Sequence, residues 1–173
     1  MRLSWRNRSQ GVVGLLGVAV LALALSACGW QLRGAPGGIS LDDRVIQVVD
    51  EAGSSELRRE VRRAIEGGGG QYTESAAGAE WVLTLHGRGS SRDTASVGAG
   101  GDVLDYRLIY TIDYSVVDAE GETRIQRTSL DAQRTFADPD GGADERRARE
   151  AELEEELRAD AVRLLMLRLQ ALR

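Results

Sequence analysis

Residues Leu104–Val117 read LDYRLIYTIDYSVV, and their alternation decides the fold class. In an extended chain Leu104, Tyr106, Leu108, Tyr110, Ile112, Tyr114 and Val116 fall on one side. Asp105, Arg107, Thr111, Asp113 and Ser115 fall on the other, with Ile109 and Val117 as apolar exceptions. A period of two sustained this long predicts a strand well beyond the usual length of about five to six residues, with one face on a core.

Working outward, Asp118–Glu122 contains Gly121 and predicts a hairpin turn into a strand at Thr123–Ala137. A five-residue loop would pair Tyr110 with Leu130, Leu108 with Ala132 and Leu104 with Phe136, all apolar. A slip of one residue would turn Leu130 to the opposite face. On the other side, Trp81–His86 alternates Trp81, Leu83 and Leu85 against Val82, Thr84 and His86, and continues with weaker patterning to about Val97. Arg44–Val49 (RVIQVV) is dense in β-branched residues and reads as a first strand.

Two helices complete the pattern. Ser55–Glu66 places Leu57, Val61, Ala64 and Ile65 at helical spacing, with Arg58, Arg59, Arg62 and Arg63 outward. Ser54 or Ser55 can cap its start, and Gly67–Gly70 ends it in a loop. Ala143–Leu172 reads as one long helix with the stripe Leu153, Leu157, Ala161, Leu164, Leu165, Leu169 and Leu172. Glu150, Glu152 and Glu154–Glu156 lie in its first half and Arg158, Arg163, Arg168 and Arg173 later, as the helix dipole favours. The order β-α-β-β-β-α predicts an α+β fold, a two-layer α/β sandwich with a mixed sheet of about four strands and two helices.

Composition narrows the chemistry. Of 173 residues one is Cys and one is His, and all 22 cationic residues are Arg. A disulfide framework, a Cys-rich or multi-histidine metal site, and Schiff-base or Walker lysine chemistry are therefore excluded. His86 has no partner cluster in the sequence, the Glu154–Glu156 carboxylates point different ways around a helix, and no nucleophile elbow is present. No enzymatic activity, catalytic residue, metal or cofactor is expected. A net charge of −5 gives no sign of nucleic-acid binding.

The N-terminus carries an address. Arg2, Arg6 and Arg8 precede the apolar run Gly11–Ala24, and no acidic residue appears before Asp42. A basic segment, a short apolar segment and a small-residue end make a secretory signal peptide, and the run is shorter than the roughly 20 residues of a membrane span. Leu25-Ser26-Ala27-Cys28 then matches a bacterial lipobox, whose thiol accepts diacylglycerol. The chain thus divides into a lipoprotein signal peptide (1–27), a lipidated N-terminus and Gly/Pro-containing tether (28–41) and an α/β domain (42–173). Several acyl chains at Cys28 would give durable attachment. Gly29 in place of Asp after the cysteine favours sorting to the outer membrane. Cleavage removes three arginines and no acids, leaving 19 Arg against 27 Asp and Glu, a formal charge of −8.

The stretch Cys28-Gly29-Trp30-Gln31-Leu32-Arg33-Gly34 resembles the start of the lipopolysaccharide-assembly lipoprotein LptE family. Asp93-Thr94-Ala95-Ser96-Val97, Asp105-Tyr106-Arg107-Leu108, Arg134-Thr135-Phe136 and the closing acidic-to-Leu/Met helix fit in the same order. The resemblance implies a non-enzymatic protein on the periplasmic side of the outer membrane. It would plug and help assemble an LptD-like β-barrel and bind lipopolysaccharide for transfer to the cell surface. The other reading is an unrelated periplasmic envelope lipoprotein adaptor. A domain at −8 repels phosphates on average, so lipopolysaccharide must meet local arginines, for which Arg88, Arg92, Arg107, Arg124, Arg127 and Arg134 are the candidates. The segment Gly98–Asp102, between the second and third strands, adds no cation.

Overall fold

The computed structural model describes residues 38–138 and 142–172. The elements are β1 (Val45–Asp50), α1 (Ser55–Gly67), β2 (Gln71–Thr73), β3 (Trp81–Val97), β4 (Val103–Asp118), β5 (Thr123–Ala137) and α2 (Ala143–Gln170). The sheet runs β2-β1-β3-β4-β5, with β1 parallel to both its neighbours and β3, β4 and β5 an antiparallel meander. Both helices lie on one face, so the fold is the expected two-layer α+β sandwich with a mixed sheet. The sheet has five strands rather than about four. The additional one, β2, spans three residues, too short for alternation to register. It joins because β1 offers an open edge, where the Gln71 N–H donates to the Arg44 carbonyl at 2.9 Å.

The sequence pattern acts directly in β4. Tyr110, Ile112, Tyr114 and Val116 are fully buried and Leu108 nearly so, while the residues between them are only partly covered. Leu104 departs from the pattern at 53% exposure, because it sits beyond the last covered rung beside the β3–β4 turn. Phe136, its expected partner, instead pairs with Tyr106, their ring centroids 5.8 Å apart.

The β4–β5 register also needs correction. Next to the turn, Val117 pairs with Thr123, as a five-residue loop requires. Two irregularities follow, between Tyr114 and Val116 and between Val116 and Val117, and each adds one residue to β5. Beyond them Ile112 pairs with Leu130, Tyr110 with Ala132 and Leu108 with Arg134, two residues away from the expected register. Because the side-chain period is two, a shift of two keeps every core residue on its face. Leu130 and Ala132 therefore remain buried, and Arg134 takes a rung on the helix side.

Ser54 caps α1, its hydroxyl accepting from the Leu57 N–H at 3.3 Å, and Leu57, Val61 and Ile65 face the sheet at 0% exposure. The helix ends on glycines. Gly69 has φ +77°, and a Cβ on Gly70 would come within 3.0 Å of the Ile65 side chain. The core extends N-terminally to Leu41 and, in part, Ile39.

In α2 the stripe contains Leu153, Leu157, Ala161, Leu165 and Leu169 as expected, each at most 1% exposed. Each of these buried leucines contributes about 1.5–3 kcal/mol of hydrophobic stabilisation. The expected Leu164 is instead 41% exposed, and Val162 and Met166 are buried in its place. The stripe swings toward α1, because α2 packs against both the sheet and its neighbouring helix.

Candidate functional site

The two faces of the β3–β4–β5 meander have opposite chemistry, and the candidate arginines divide between them. On the helix side, cross-strand pairing puts Arg92 opposite Leu108, Arg88 opposite Ile112 and Arg134 opposite Leu108. Arg134 forms ion pairs with Glu156 and, at 3.0 Å, with Asp160 of α2. Arg92 pairs with Glu150 of α2 and lies over the Tyr106 ring at 4.7 Å. Arg146 covers the same ring at 5.2 Å and holds Asp138 through two hydrogen bonds of 2.7 and 3.2 Å. Donation of these hydrogen bonds to the Asp138 carboxylate raises the Arg146 pKa above the ordinary guanidinium value. Arg92 and Arg134 thus act as latches that hold α2 along the meander.

A third latch joins the helices. Arg158 donates to Glu60 at 2.8 Å and Glu56 at 3.4 Å. Burial opposes its charge, but the hydrogen bond and charge of Glu60 outweigh that, so its pKa also lies above the ordinary value. Nearby, the fully buried Tyr110 hydroxyl makes no well-formed hydrogen bond among the described residues. Burial pushes this phenol up, against the opposing charges of Arg88 and Arg158.

Among the described residues, the opposite face of the sheet carries no helix. It is laid with hydroxyl–carboxylate pairs: Thr111 donates to Asp131 at 2.7 Å, Ser129 to Asp113 at 2.6 Å, and Ser96 to Asp105. Arg107 stands here, 3.7 Å from Asp93 across the β3–β4 pairing. Arg124 and Arg127 are exposed on β5 where its two extra residues fall, next to the β4–β5 turn. The fold therefore brings no single cluster out of the six candidates. Arg92 and Arg134 meet α2, Arg88 shares their face near Tyr110, Arg107 is on the open face, and Arg124 and Arg127 are at the turn end. Cys28 and the signal and tether residues through 37 lie outside the described residues.

His86 is placed with more purpose than its isolation in the sequence suggested. It keeps the outward face that alternation with Trp81, Leu83 and Leu85 gives it, and the β3 bulge between Leu85 and Gly87 follows directly, so that beyond it Arg88 lies opposite the buried Ile112. On that outward face the His86 Nδ1 is 2.7 Å from Glu51 Oε2 and its Nε2 2.8 Å from Ser115 Oγ. The order of groups is that of a nucleophile, base and orienting acid. Acyl transfer also needs oriented N–H donors at the reacting carbonyl and a substrate cavity. Ser115 instead sits mid-strand, and among the described residues neither it, His86 nor Glu51 lines the grooves between α1 and α2, at the end of β5 or along the β5 edge. The arrangement serves as a strut from the end of β1 across β3 to β4.

Those grooves lie between α1 and α2 (about 510 Å³), between the end of β5 and the start of α2 (about 590 Å³), and along the β5 edge beside Leu164 and Leu167 (about 370 Å³). Among the described residues no group of three or more His, Cys, Asp or Glu could hold a metal ion, and no helix is long and apolar enough to cross a membrane. The latches were missed in the sequence because each joins an arginine to an acid on another element. The one available hint was the acidic first half of α2, read there only as a solvated, dipole-matched face.

A family model described as LptE, lipopolysaccharide-assembly, matches residues 44–169. No curated protein matches the sequence. Among solved structures, the chain is similar to rare lipoprotein B from Shewanella oneidensis (TM-score 0.63, 23% identity, covering 74% of this chain and 94% of that one). It is also similar to lipoprotein B from Nitrosomonas europaea (0.67, 19%, 83% and 91%). A third likeness is to a minor lipoprotein from Acinetobacter baumannii (0.61, 16%, 75% and 92%). At these identities the likeness establishes the shared fold.

Proposed function

From the premise that the chain belongs to the LptE family of lipopolysaccharide-assembly proteins, we propose that it is a lipoprotein of the outer membrane, held on the periplasmic side through Cys28. In this reading residues 1–27 are the signal peptide, 28–41 the lipidated tether and 42–173 the working domain. The domain plugs and helps assemble an LptD-like β-barrel and binds lipopolysaccharide on its way to the surface. The role is recognition and protein–protein contact, with no chemical step.

The observation that carries this reading is the family match across all seven elements of the domain. The open sheet face supports it. Its hydroxyls and carboxylates are already paired with one another, which makes a broad polar surface that can be covered by a polar partner without stranding unsatisfied groups. Among the arginine candidates, Arg107, Arg124 and Arg127 are the ones exposed away from α2, and we assign the lipopolysaccharide contact to them first. The test is affinity purification of the tagged chain from detergent-solubilised outer membranes. An outer-membrane barrel should co-purify in stoichiometric amount, and its absence would refute the proposal.

A further inference from the structure

The groove between α1 and α2 has a floor of Ile39, Ala64, Val162 and Met166 and two arginines at its rim, Arg63 from α1 and Arg163 from α2. Arg59 precedes Arg63 by one helical turn and so stands on the same side of α1. All three guanidiniums are exposed, and among the described residues none has an ion pair. The acids around them are engaged elsewhere. Glu56 and Glu60 hold Arg158, Glu66 holds Arg62, and Asp160 holds Arg134. A domain that is acidic as a whole therefore shows a local excess of positive charge, and it does so at the edge of an apolar groove. That combination fits an anionic amphiphile, the guanidiniums taking the phosphate and the floor taking adjoining hydrocarbon.

The position selects the source. Gly38 and Ile39, where the described chain begins, line this groove. Gly38 is ten Cα-to-Cα steps from Cys28, so even a fully extended tether would keep Gly38 within about 36 Å of the lipidated residue. We propose that the α1–α2 groove seats the headgroup of an anionic phospholipid of the anchoring membrane, with Arg63 and Arg163 on the phosphate and Arg59 on the surrounding surface. This rests on the lipid-anchor reading for its geometry and adds a lipid site separate from the lipopolysaccharide candidates.

The test uses the full-length chain, matured in a Gram-negative envelope, purified in detergent and reconstituted into vesicles of phosphatidylethanolamine and phosphatidylglycerol. The phosphatidylglycerol carries a photoactivatable headgroup, and labelled peptides are located by mass spectrometry. Label is expected on peptides covering residues 60–68 and 159–166. It should fall about fivefold or more in Arg63→Glu/Arg163→Glu, where two phosphate partners become repulsive. It should fall likewise in Ala159→Trp, which fills the groove without changing charge. Arg147→Glu/Arg149→Glu makes the same charge change near the start of α2 and should leave label within about twofold, as exposed and distant charges are screened. Label at other peptides, or label unchanged in both groove variants with unchanged circular dichroism, overturns the proposal. The anchor is read separately, by flotation of Cys28→Ser. If that variant floats as well as its parent, the anchor reading fails while the labelling pattern still decides the groove.

Discussion

Arg134 separates two roles that an arginine on this domain can have, holding the fold or holding a ligand. In the structure it bridges Glu156 and Asp160 of α2, and the three side chains are 45%, 43% and 47% exposed. Half-exposed pairs are screened by solvent, which places each at the exposed end of the range, about 0.5 kcal/mol. Two pairs sharing one guanidinium therefore make Arg134→Ala cost about 1 kcal/mol. For a domain of this size that lowers Tm by about 3–5 °C. The loss should shrink in about 1 M salt, where the screening length falls to ~3 Å. Thermal unfolding of the wild type, Arg134→Ala, Glu156→Gln/Asp160→Asn and the combined variant at low and high salt forms the cycle. The combined variant should be little worse than either parent, because the same pairs are removed. Lipopolysaccharide binding, measured on the same proteins, should change little for Arg134→Ala. Arg107→Ala should do the opposite, reducing binding while stability stays within about 0.5 kcal/mol, since its one ion pair is long and exposed. An Arg134→Ala protein with unchanged Tm and tenfold weaker lipopolysaccharide binding would refute the latch.

Three further outcomes test the framework. Tyr110→Phe removes a buried hydroxyl that makes no well-formed hydrogen bond among the described residues, so urea unfolding at pH 7 should show equal or greater stability, and a loss above about 1 kcal/mol would contradict that reading. The Tyr110 phenol is raised above its ordinary value of 10.0, so its contribution is complete below that pH and is lost as pH climbs through the folded value. Stability of Tyr110→Phe should accordingly decline less steeply above pH 10 than that of the parent. Leu157→Ala, at 1% exposure against the sheet, should cost about 2–5 kcal/mol in chemical denaturation, and a cost below 1 kcal/mol would mean α2 does not pack as described. Ser54→Ala deletes the α1 cap and should cost about 1 kcal/mol, with Ser54→Asp restoring most of it.

Much of the fold was legible because its signals are local. The alternation of residues 104–117 marked β4 and named its inner face, and the spacing of Leu57, Val61 and Ile65 marked α1 with its sheet-facing stripe. The turn at 118–122 was legible too, since Val117 does pair with Thr123. What alternation could not reveal was the pair of extra residues in β5. They preserve the parity of the pattern and so leave no trace in it, yet they move Leu130 from Tyr110 to Ile112. Leu164 was misplaced for a related reason. A helix stripe can be read as facing one neighbour, but α2 has two, and Val162 and Met166 serve the second.

The candidate sites show the sharper division. By itself the sequence determined the lipobox reading, the absence of lysine, the acidic balance and the inner and outer faces of β4 and α1, all properties of residues near one another along the chain. It could list arginines but could not sort them. Arg134 meets Glu156 across 22 positions, Arg92 meets Glu150 across 58 and Arg158 meets Glu56 across 102. Only the path of the chain through space decides which guanidinium meets a carboxylate and which is left for solvent or a ligand. Coulombic pairing depends on distance between groups and is indifferent to sequence separation. Arg92 and Arg134 therefore became part of the scaffold, while Arg63 and Arg163, inconspicuous in a helix pattern, came to stand together at the rim of a groove.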